Sequence, residues 1–141
     1  MEINEEGLLT VAKKVVGSLH DGDVIALSGP LASGKTSLVK HLVAAMGYAG
    51  RVSSPTFVLE RRYPVEWQGV KEVLHLDFYR LTAEEIESFD WQDHIGDRGT
   101  IAFIEWPEIA AAHLPKKAKT ISLEIIDDKT RRITFSNNFG F

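Results

Sequence analysis

The sequence contains no cysteine, which excludes disulfide bonds and thiolate metal sites. It also lacks any apolar run approaching the ~20 residues that a membrane-spanning helix requires. The first residues, MEINEE, are acidic and polar, whereas a secretory signal begins with basic residues and an apolar stretch. We therefore expect a cytoplasmic protein with neither a membrane segment nor a disulfide-linked partner.

Strong positive charge is absent as well. The formal net charge is -4, which argues against a broad electrostatic interaction with nucleic acid, so we expect any connection to RNA to be indirect. The 141 residues, 44% of them hydrophobic, suffice for one compact domain with a sizeable core. We predict a single domain over residues 1–141.

One segment matches the phosphate-binding pattern G-x-x-x-x-G-K-[ST]. Its residues are Gly29, Pro30, Leu31, Ala32, Ser33, Gly34, Lys35 and Thr36, and we assign these and the following Ser37 to a nucleotide site. A short apolar run precedes the segment, and apolar residues at helical spacing follow it from about Lys35. In such a context, main-chain N–H groups and a helix N-terminus face phosphate oxygens. We predict that Lys35 contacts the β- and γ-phosphates and that the Thr36 hydroxyl binds Mg²⁺.

The rest of the chain alternates strand and helix patterns and then turns to hairpins. The predicted elements are a helix capped by Asn4, strands at 24–27 and 100–105, hairpins formed by 57–63 with 70–78 and by 120–126 with 131–136, a short helix after the Thr82 capping box, and a helical turn at 108–113. Residues 64–69 are expected to form a loop, and residues 90–99 to be irregular. This order predicts an α/β fold whose central mixed parallel and antiparallel sheet is flanked by helices.

A magnesium–nucleotide site also needs an acid at the end of a strand beside the phosphate loop. Glu105 is our first candidate because it ends the second strand that is predicted to be buried on both faces. Asp77 is the second candidate, although its charge could equally form an ordinary ion pair with Arg80. A solvent-exposed acid at a strand end is the alternative for Glu105.

Other residues carry weaker signals. Thr56 follows the nucleotide-binding helix at a place where many switches keep a threonine that senses the γ-phosphate, although the segment around it could be only a turn. Trp106 would by default fill the core, and His75 is expected to pack or hydrogen-bond near the site. The basic residues at 116–119 and 131–132 are explained either by solvated turns or by a docking surface.

A small GTPase is the nearest competing interpretation. Residues 93–96 fit the pattern D-x-x-G, but they do not follow a strand as a switch loop would. The chain has no N-K-x-D or T-K-x-D stretch with which to recognise guanine. ATP is therefore the predicted nucleotide.

Taken in order, four motifs make the chain resemble the bacterial TsaE family, also called YjeE. They are the phosphate loop, Ser53-Ser54-Pro55-Thr56-Phe57, His75-Leu76-Asp77-Phe78-Tyr79-Arg80-Leu81, and Ile104-Glu105-Trp106-Pro107-Glu108. The resemblance covers nearly the whole chain and implies the P-loop NTPase fold. It also implies an ATPase of the pathway that attaches threonylcarbamoyl to the adenosine next to the anticodon of tRNA. The family acts with the proteins TsaB and TsaD, so that tRNA is contacted through that complex.

The same resemblance assigns Asp77 and Glu105 as metal-binding or catalytic acids, Thr56 to the switch-like loop, and Trp106 to the edge of the nucleotide site. Two departures from the family's usual G-D-L-G-A-G-K-T are expected to matter, since Pro30 replaces the acid and Ala32 replaces the inner glycine. Proline has no N–H to donate, and alanine disfavours positive φ, so loop geometry or affinity is expected to differ.

We predict a magnesium-dependent ATPase that is slow alone and is coupled to a partner complex. A small-molecule kinase would share the loop and the metal, but it usually needs an Arg-bearing lid, which is not evident at this length. A nonhydrolysing nucleotide switch is the third hypothesis.

Overall fold

A computed structural model describes residues 1–55, 59–88 and 90–141 of the chain. The strands in these residues are β1 (Glu2–Ile3), β2 (Val24–Ser28), β3 (Glu60–Trp67), β4 (Val70–Asp77), β5 (Thr100–Glu105), β6 (Lys119–Ile125) and β7 (Arg131–Phe135). The α-helices are α1 (Glu5–Ser18), α2 (Lys35–Ala45), α3 (Ala83–Ser88) and α4 (Trp91–His94), and 3₁₀ helices cover Pro107–His113 and Asn137–Phe139. None of the helices in the described ranges is long and apolar enough to cross a lipid bilayer.

The described strands form one seven-stranded sheet in the order β1-β7-β6-β2-β5-β4-β3. The central strands β6, β2, β5 and β4 run parallel to one another, and the outer pairings are antiparallel. The predicted α/β fold with a mixed sheet and flanking helices is therefore confirmed. Because β2, β4 and β5 are parallel, their carboxyl ends meet at one edge, and the following loops meet there too.

Side chains that alternate along the central strands pack into two hydrophobic clusters, one on each face of the sheet. Helices α1 and α2 cover one face, where Leu27, Leu38 and Phe103 are fully buried. Helices α3 and α4 and the first 3₁₀ helix cover the other, around Trp91 and Ile104. The central strands are therefore buried on both faces, which explains their continuous apolar runs.

Local signals predicted the helix boundaries well. Asn4 caps α1, since its side-chain oxygen accepts a hydrogen bond from the Gly7 N–H at 3.0 Å. Thr82 and Glu85 form the predicted capping box, each side chain bonded to the other residue's N–H at 3.2 and 3.1 Å. The helix α2 begins at Lys35, as predicted.

Two local predictions were wrong. The predicted loop at 64–69 is strand up to Trp67, which pairs with Val70 across a two-residue turn. Gln68 and Gly69 both have positive φ, as the favoured two-residue turns require, and Pro64 is tolerated because β3 is an edge strand with a register shift. Residues 91–94, expected to be irregular, form α4, where the Trp91 side chain is fully buried against the sheet.

Candidate functional site

The phosphate loop joins β2 to α2, and its backbone requires glycine at both ends. Gly29 has φ 151° and Gly34 has φ 103°. A Cβ atom added to Gly29 would lie 2.6 Å from the Leu123 carbonyl oxygen and 2.7 Å from Ser33 Oγ. The loop therefore packs closely against β6, and a side chain at Gly29 would displace it.

The two departures from the usual motif lie in the same turn. Ala32 has φ 64°, so an L-residue with a Cβ occupies the left-handed region that favours glycine. Pro30 contributes its carbonyl, which accepts a hydrogen bond from Lys35 at 3.0 Å. The loop thus keeps its path at Ala32 at some conformational cost, and it has one fewer N–H donor at Pro30.

Lys35 is the first residue of α2 and is 5% exposed. Its ammonium group donates hydrogen bonds to the carbonyl oxygens of Gly29 and Pro30 and lies 4.0 Å from the centre of the Trp106 ring. Burial lowers the pKa of Lys35, while the nearby carboxylates of Glu105, Asp77 and Glu108 act in the opposite direction. The cation is therefore held inside the loop that would surround a phosphate.

Arg131, at the start of β7, braces the outside of the loop. Its guanidinium donates to the carbonyl oxygens of Ser33 and Ala32, both at 3.2 Å, and to those of Asp127 and Thr130 at 2.8 and 3.1 Å. Arg131 belongs to the basic cluster for which the sequence predicts solvated turns or a docking surface, and its contact with the loop is not predicted. Nothing in the local spacing signals it, because the contact joins residues 98 positions apart.

The two candidate acids lie beside each other. Asp77 ends β4, Glu105 ends β5, and the two are paired in the parallel register, with Leu27 on the other side of Glu105. Both acids are buried, at 2% and 3% exposure. The structure therefore brings together the strand-end acids that the sequence analysis selected, next to the start of the phosphate loop.

Glu105 also contacts the phosphate-binding helix directly. The Thr36 hydroxyl donates to Glu105 Oε2 at 2.9 Å, and His75 Nε2 lies 2.5 Å from the same oxygen. His75 is fully buried, as expected of a residue that hydrogen-bonds near the site. Asp77 Oδ1 accepts a hydrogen bond from the Tyr79 N–H at 2.9 Å, which fixes the second carboxylate.

These groups surround a cavity of about 240 Å³, which we call the phosphate cavity. It is lined by residues 31–37 together with Ser54, Asp77, Glu105 and Trp106. A wider outer cavity of about 500 Å³ shares residues 32–34 and Ser37 with it and continues to the start of α1 and the β6–β7 turn. A ligand with a small anionic part and a larger second part would fit this pair of cavities.

Trp106 lines the phosphate cavity, and its partly buried side chain also packs against the hydrophobic cluster around Trp91 and Ile104. Its backbone is in the left-handed region, with φ 56°, and its ring lies 4.8 Å from that of the 42% exposed Tyr79. Thr56, the predicted switch-like threonine, lies outside the described residues. Ser54, from the same segment, lines the cavity.

The side-chain oxygens of the phosphate cavity suit a magnesium ion whose remaining ligands come from a bound phosphate group and water. Within the described ranges there is no group of three or more His, Cys, Asp or Glu residues placed to hold a metal ion. The Thr36 hydroxyl and the carboxylates of Glu105 and Asp77 are hard oxygen donors around one cavity. Mg²⁺ prefers one or two carboxylates completed by phosphate oxygens and water, so these residues fit that ion.

The competing D-x-x-G motif takes no part in the site. Asp93 lies within α4, Gly96 follows that helix, and neither residue lines the phosphate cavity. The structure is therefore consistent with the interpretation of this motif as a coincidence.

Comparison with known proteins gives one family. The family model described as "Threonylcarbamoyl adenosine biosynthesis protein TsaE" matches residues 3–133. Proteins named tRNA threonylcarbamoyladenosine biosynthesis protein TsaE are similar over most of their length. The one from Treponema pallidum is 38% identical over 122 residues, 85% of this chain and 87% of that protein. The one from Mycobacterium tuberculosis is 34% identical over 135 residues, 91% of this chain and 79% of that protein.

A solved structure has the same fold. The crystal structure of YdiB from Bacillus subtilis superposes with a TM-score of 0.78 at 25% sequence identity, covering 99% of this chain and 88% of that one. The agreement extends over the whole sheet and its helices and supports the α/β assignment reached from the sequence.

Proposed function

The chain belongs to the TsaE family, which takes part in tRNA threonylcarbamoyladenosine biosynthesis, and from this we propose that it is a magnesium-dependent ATPase of that pathway. One observation supports the proposal most directly. The side chains of Lys35, Thr36 and Glu105 lie together at the N-terminus of α2, where Thr36 Oγ1 and Glu105 Oε2 are 2.9 Å apart. A cation, a hydroxyl and a carboxylate beside a phosphate loop are the groups that a nucleoside triphosphate and its metal require.

Phosphate binding would use groups that are already directed into the loop. The N-terminus of α2 supplies main-chain N–H groups and a positive potential. Lys35 now donates to two loop carbonyls, and it would exchange these acceptors for β- and γ-phosphate oxygens. The exchange replaces neutral acceptors by charged ones, which form stronger hydrogen bonds.

Thr36, Glu105 and Asp77 would hold Mg²⁺, which when bound supplies positive charge to the phosphate oxygens. Hydrolysis joins a water oxygen to the γ-phosphorus and breaks the bond to the β–γ bridging oxygen, giving ADP and phosphate. Glu105 and Asp77 both line the phosphate cavity and would orient that water. Positioned charge supplies most of the catalysis in such reactions.

The nucleoside would occupy the outer cavity, which is contiguous with the phosphate loop through Gly34 and Ser37. Its other walls are Asn4 and Glu5 at the start of α1 and Lys129 in the β6–β7 turn. The sequence carries no guanine-reading motif, which favours adenine. We propose ATP as the substrate on this basis.

A partner-coupled role completes the proposal. The family resemblance implies action with TsaB and TsaD, through which tRNA would be reached indirectly. Exposed apolar side chains border the phosphate cavity, Leu31 at 58% and Tyr79 at 42% exposure, so a partner docked there would sense the nucleotide. We further propose that the protein acts in the cytoplasm.

Phosphate release from ATP, measured with the chain alone and with TsaB and TsaD, tests the proposal. We expect slow turnover alone, dependence on Mg²⁺, and stimulation by the two partners. Tight ATP binding without any turnover would favour the nonhydrolysing switch. Turnover that requires a small acceptor molecule would favour the kinase.

A further inference from the structure

A series of hydrogen-bonding contacts begins at the phosphate cavity and runs from strand to strand along one face of the sheet. Glu105 Oε2 contacts Thr36 Oγ1 at 2.9 Å and His75 Nε2 at 2.5 Å. On the other side of the imidazole, His75 Nδ1 lies 3.1 Å from the Tyr63 hydroxyl, which in turn lies 3.3 Å from the Ser53 carbonyl oxygen. We call these five residues the buried relay.

The strand register places the relay on one face of the sheet. His75 pairs with Phe103, two residues before Glu105 on β5, and Tyr63 pairs with Val73, two residues before His75 on β4. Alternation along the strands puts all of these side chains on the face that α1 and α2 cover. The middle of the relay is therefore enclosed by the main hydrophobic core, where His75 is 0% and Tyr63 3% exposed.

The chemistry of the groups defines the direction of the hydrogen bonds. An ionised carboxylate accepts only, so His75 Nε2–H is the donor to Glu105. The Tyr63 hydroxyl, which has a single proton, lies 3.1 Å from His75 Nδ1 and 3.3 Å from the Ser53 carbonyl oxygen, so it contacts the far side of the imidazole. Burial raises the pKa of Tyr63, so the hydroxyl keeps that proton. The arrangement resembles the outer-shell partners that orient metal-binding groups in other proteins.

We infer that His75 and Tyr63 are positioning residues for Glu105. Two donors, Thr36 and His75, converge on the same carboxylate oxygen and set the rotation of the carboxyl group. Tyr63 holds the far side of the imidazole through its contact with Nδ1, and it also lies within hydrogen-bonding distance of the Ser53 carbonyl, next to Ser54 in the cavity wall. This inference rests on the proposed function, because it is the role of Glu105 in hydrolysis that the positioning serves.

A purely structural role is the competing explanation. A buried histidine needs partners for both ring nitrogens, and Glu105 and Tyr63 provide them. On that explanation, removing either partner would lower stability without changing turnover per folded molecule. Kinetics distinguish the two explanations, and the position of the ring proton tests whether His75 donates to Glu105 at all.

The first experiment compares four variants in ATP hydrolysis with TsaB and TsaD present. His75→Phe keeps a ring but donates nothing to Glu105, so kcat should fall about 10- to 100-fold. His75→Gln can still donate an amide N–H and should recover part of that loss. Tyr63→Phe keeps the ring packing and removes the hydroxyl, and it should lower kcat about two- to tenfold. KM for ATP should change by less than about twofold in all three, since the loop and Lys35 bind the phosphates.

Tyr48→Phe is the matched control. The Tyr48 ring lies 5.1 Å from that of Tyr63, but its hydroxyl donates to the Arg51 carbonyl oxygen at 3.3 Å, outside the relay. This variant should retain the kcat of the unmodified protein. Wild-type kcat in folded Tyr63→Phe and His75→Phe would overturn the inference and leave the proposed function intact, whereas an unmodified protein that neither binds nor hydrolyses ATP would overturn both.

A second measurement does not depend on activity or on variants that fold. The ¹⁵N chemical shifts of the His75 ring in the unmodified protein without nucleotide report which nitrogen carries the proton. We expect a proton on Nε2, the ring nitrogen that faces Glu105, and an Nδ1 resonance shifted by the contact with the Tyr63 hydroxyl. Protonation at Nδ1 alone would overturn the inference, because His75 could not then donate to Glu105.

Discussion

The buried relay and a network on the protein surface each pair a histidine with a glutamate, and they differ in depth. In the relay, the side chains of His75 and Glu105 are 0% and 4% exposed. On the surface, His94 Nδ1 lies 2.8 Å from Glu60 Oε1, and Arg62 joins Glu60 at 3.0 Å, with side chains 18% to 46% exposed. The heavy-atom distances are similar, so distance alone does not separate a functional network from a structural one.

The surroundings explain the difference. Water screens the surface network, and exposed ion pairs of this kind typically contribute about 0–1 kcal/mol to stability. The buried network lies at the carboxyl ends of parallel strands, where low polarity strengthens hydrogen bonds and makes an unpaired group costly. We therefore propose a chemical role for the first network, whereas the second attaches α4 to the edge strand β3.

The largest effect should follow removal of the buried cation. Lys35→Ala deletes the charge that would contact two phosphate groups, so ATP affinity should fall about 100-fold or more. Titration calorimetry with an ATP analogue and Mg²⁺ measures the change in affinity. Lys40→Ala, on the exposed side of the same helix, is the control and should bind normally. Unchanged affinity in Lys35→Ala would reject the phosphate site.

Glu105→Gln should spare much of the binding but remove hydrolysis. The amide keeps the size of the carboxylate and loses the charge that would orient water and metal, so kcat should fall about 100-fold or more. Glu124→Gln removes an exposed carboxylate that contacts Arg132 at 3.7 Å and should have no effect. Full turnover in Glu105→Gln would contradict the role given to the buried network.

Arg131→Ala should weaken nucleotide binding to an intermediate degree. It removes four hydrogen bonds, two of them to the phosphate loop, so the loop loses its brace and the Kd for ATP should rise about tenfold. The neighbouring Arg132, 46% exposed and paired with Glu2 at 3.5 Å, provides the control. Equal binding by Arg131→Ala and Arg132→Ala would show that the brace is not needed.

These residues also show which parts of the molecule were predictable from sequence. The start of α2 at Lys35, the Asn4 cap and the Thr82 capping box depend on neighbours within four positions, so local patterns reveal them. Glu105 was found because a buried strand ends in an acid. The hairpin turn was misplaced because Pro64 suggested a break, although an edge strand accepts proline.

Contacts between segments far apart in the sequence cannot be predicted from local sequence patterns. The contact of Arg131 with the phosphate loop and that of His75 with Glu105 can be predicted only when the strand register is known. The sequence predicts His75 near the site but does not identify its partner. The contacts that shape the site around the motif are thus set by sheet topology, which spacing along the chain does not encode.

The smallest effect should come from the surface network. The hydrogen bond with Glu60 raises the pKa of His94 above its ordinary value. The pair therefore stabilises the fold below the unfolded pKa of about 6.5, and this contribution is lost as pH rises through the raised folded value. His94→Gln should lower the free energy of unfolding by less than about 1 kcal/mol at low pH and by less still at high pH.

Urea denaturation at about pH 5.5 and about pH 8.5 measures this difference. ATP hydrolysis by His94→Gln should equal that of the unmodified protein, since His94 lies outside the phosphate cavity. A destabilisation that grows as pH rises, or a loss of turnover, would contradict the purely structural role given to the surface network.

A crystal structure with Mg²⁺ and a nonhydrolysable ATP analogue tests the central claim most directly. The account predicts the triphosphate inside the loop of residues 29–36, Lys35 Nζ moved from the loop carbonyls to phosphate oxygens, and the metal beside Thr36 and Glu105. Nucleotide bound elsewhere, with Lys35 still donating to the Gly29 and Pro30 carbonyls, would contradict it.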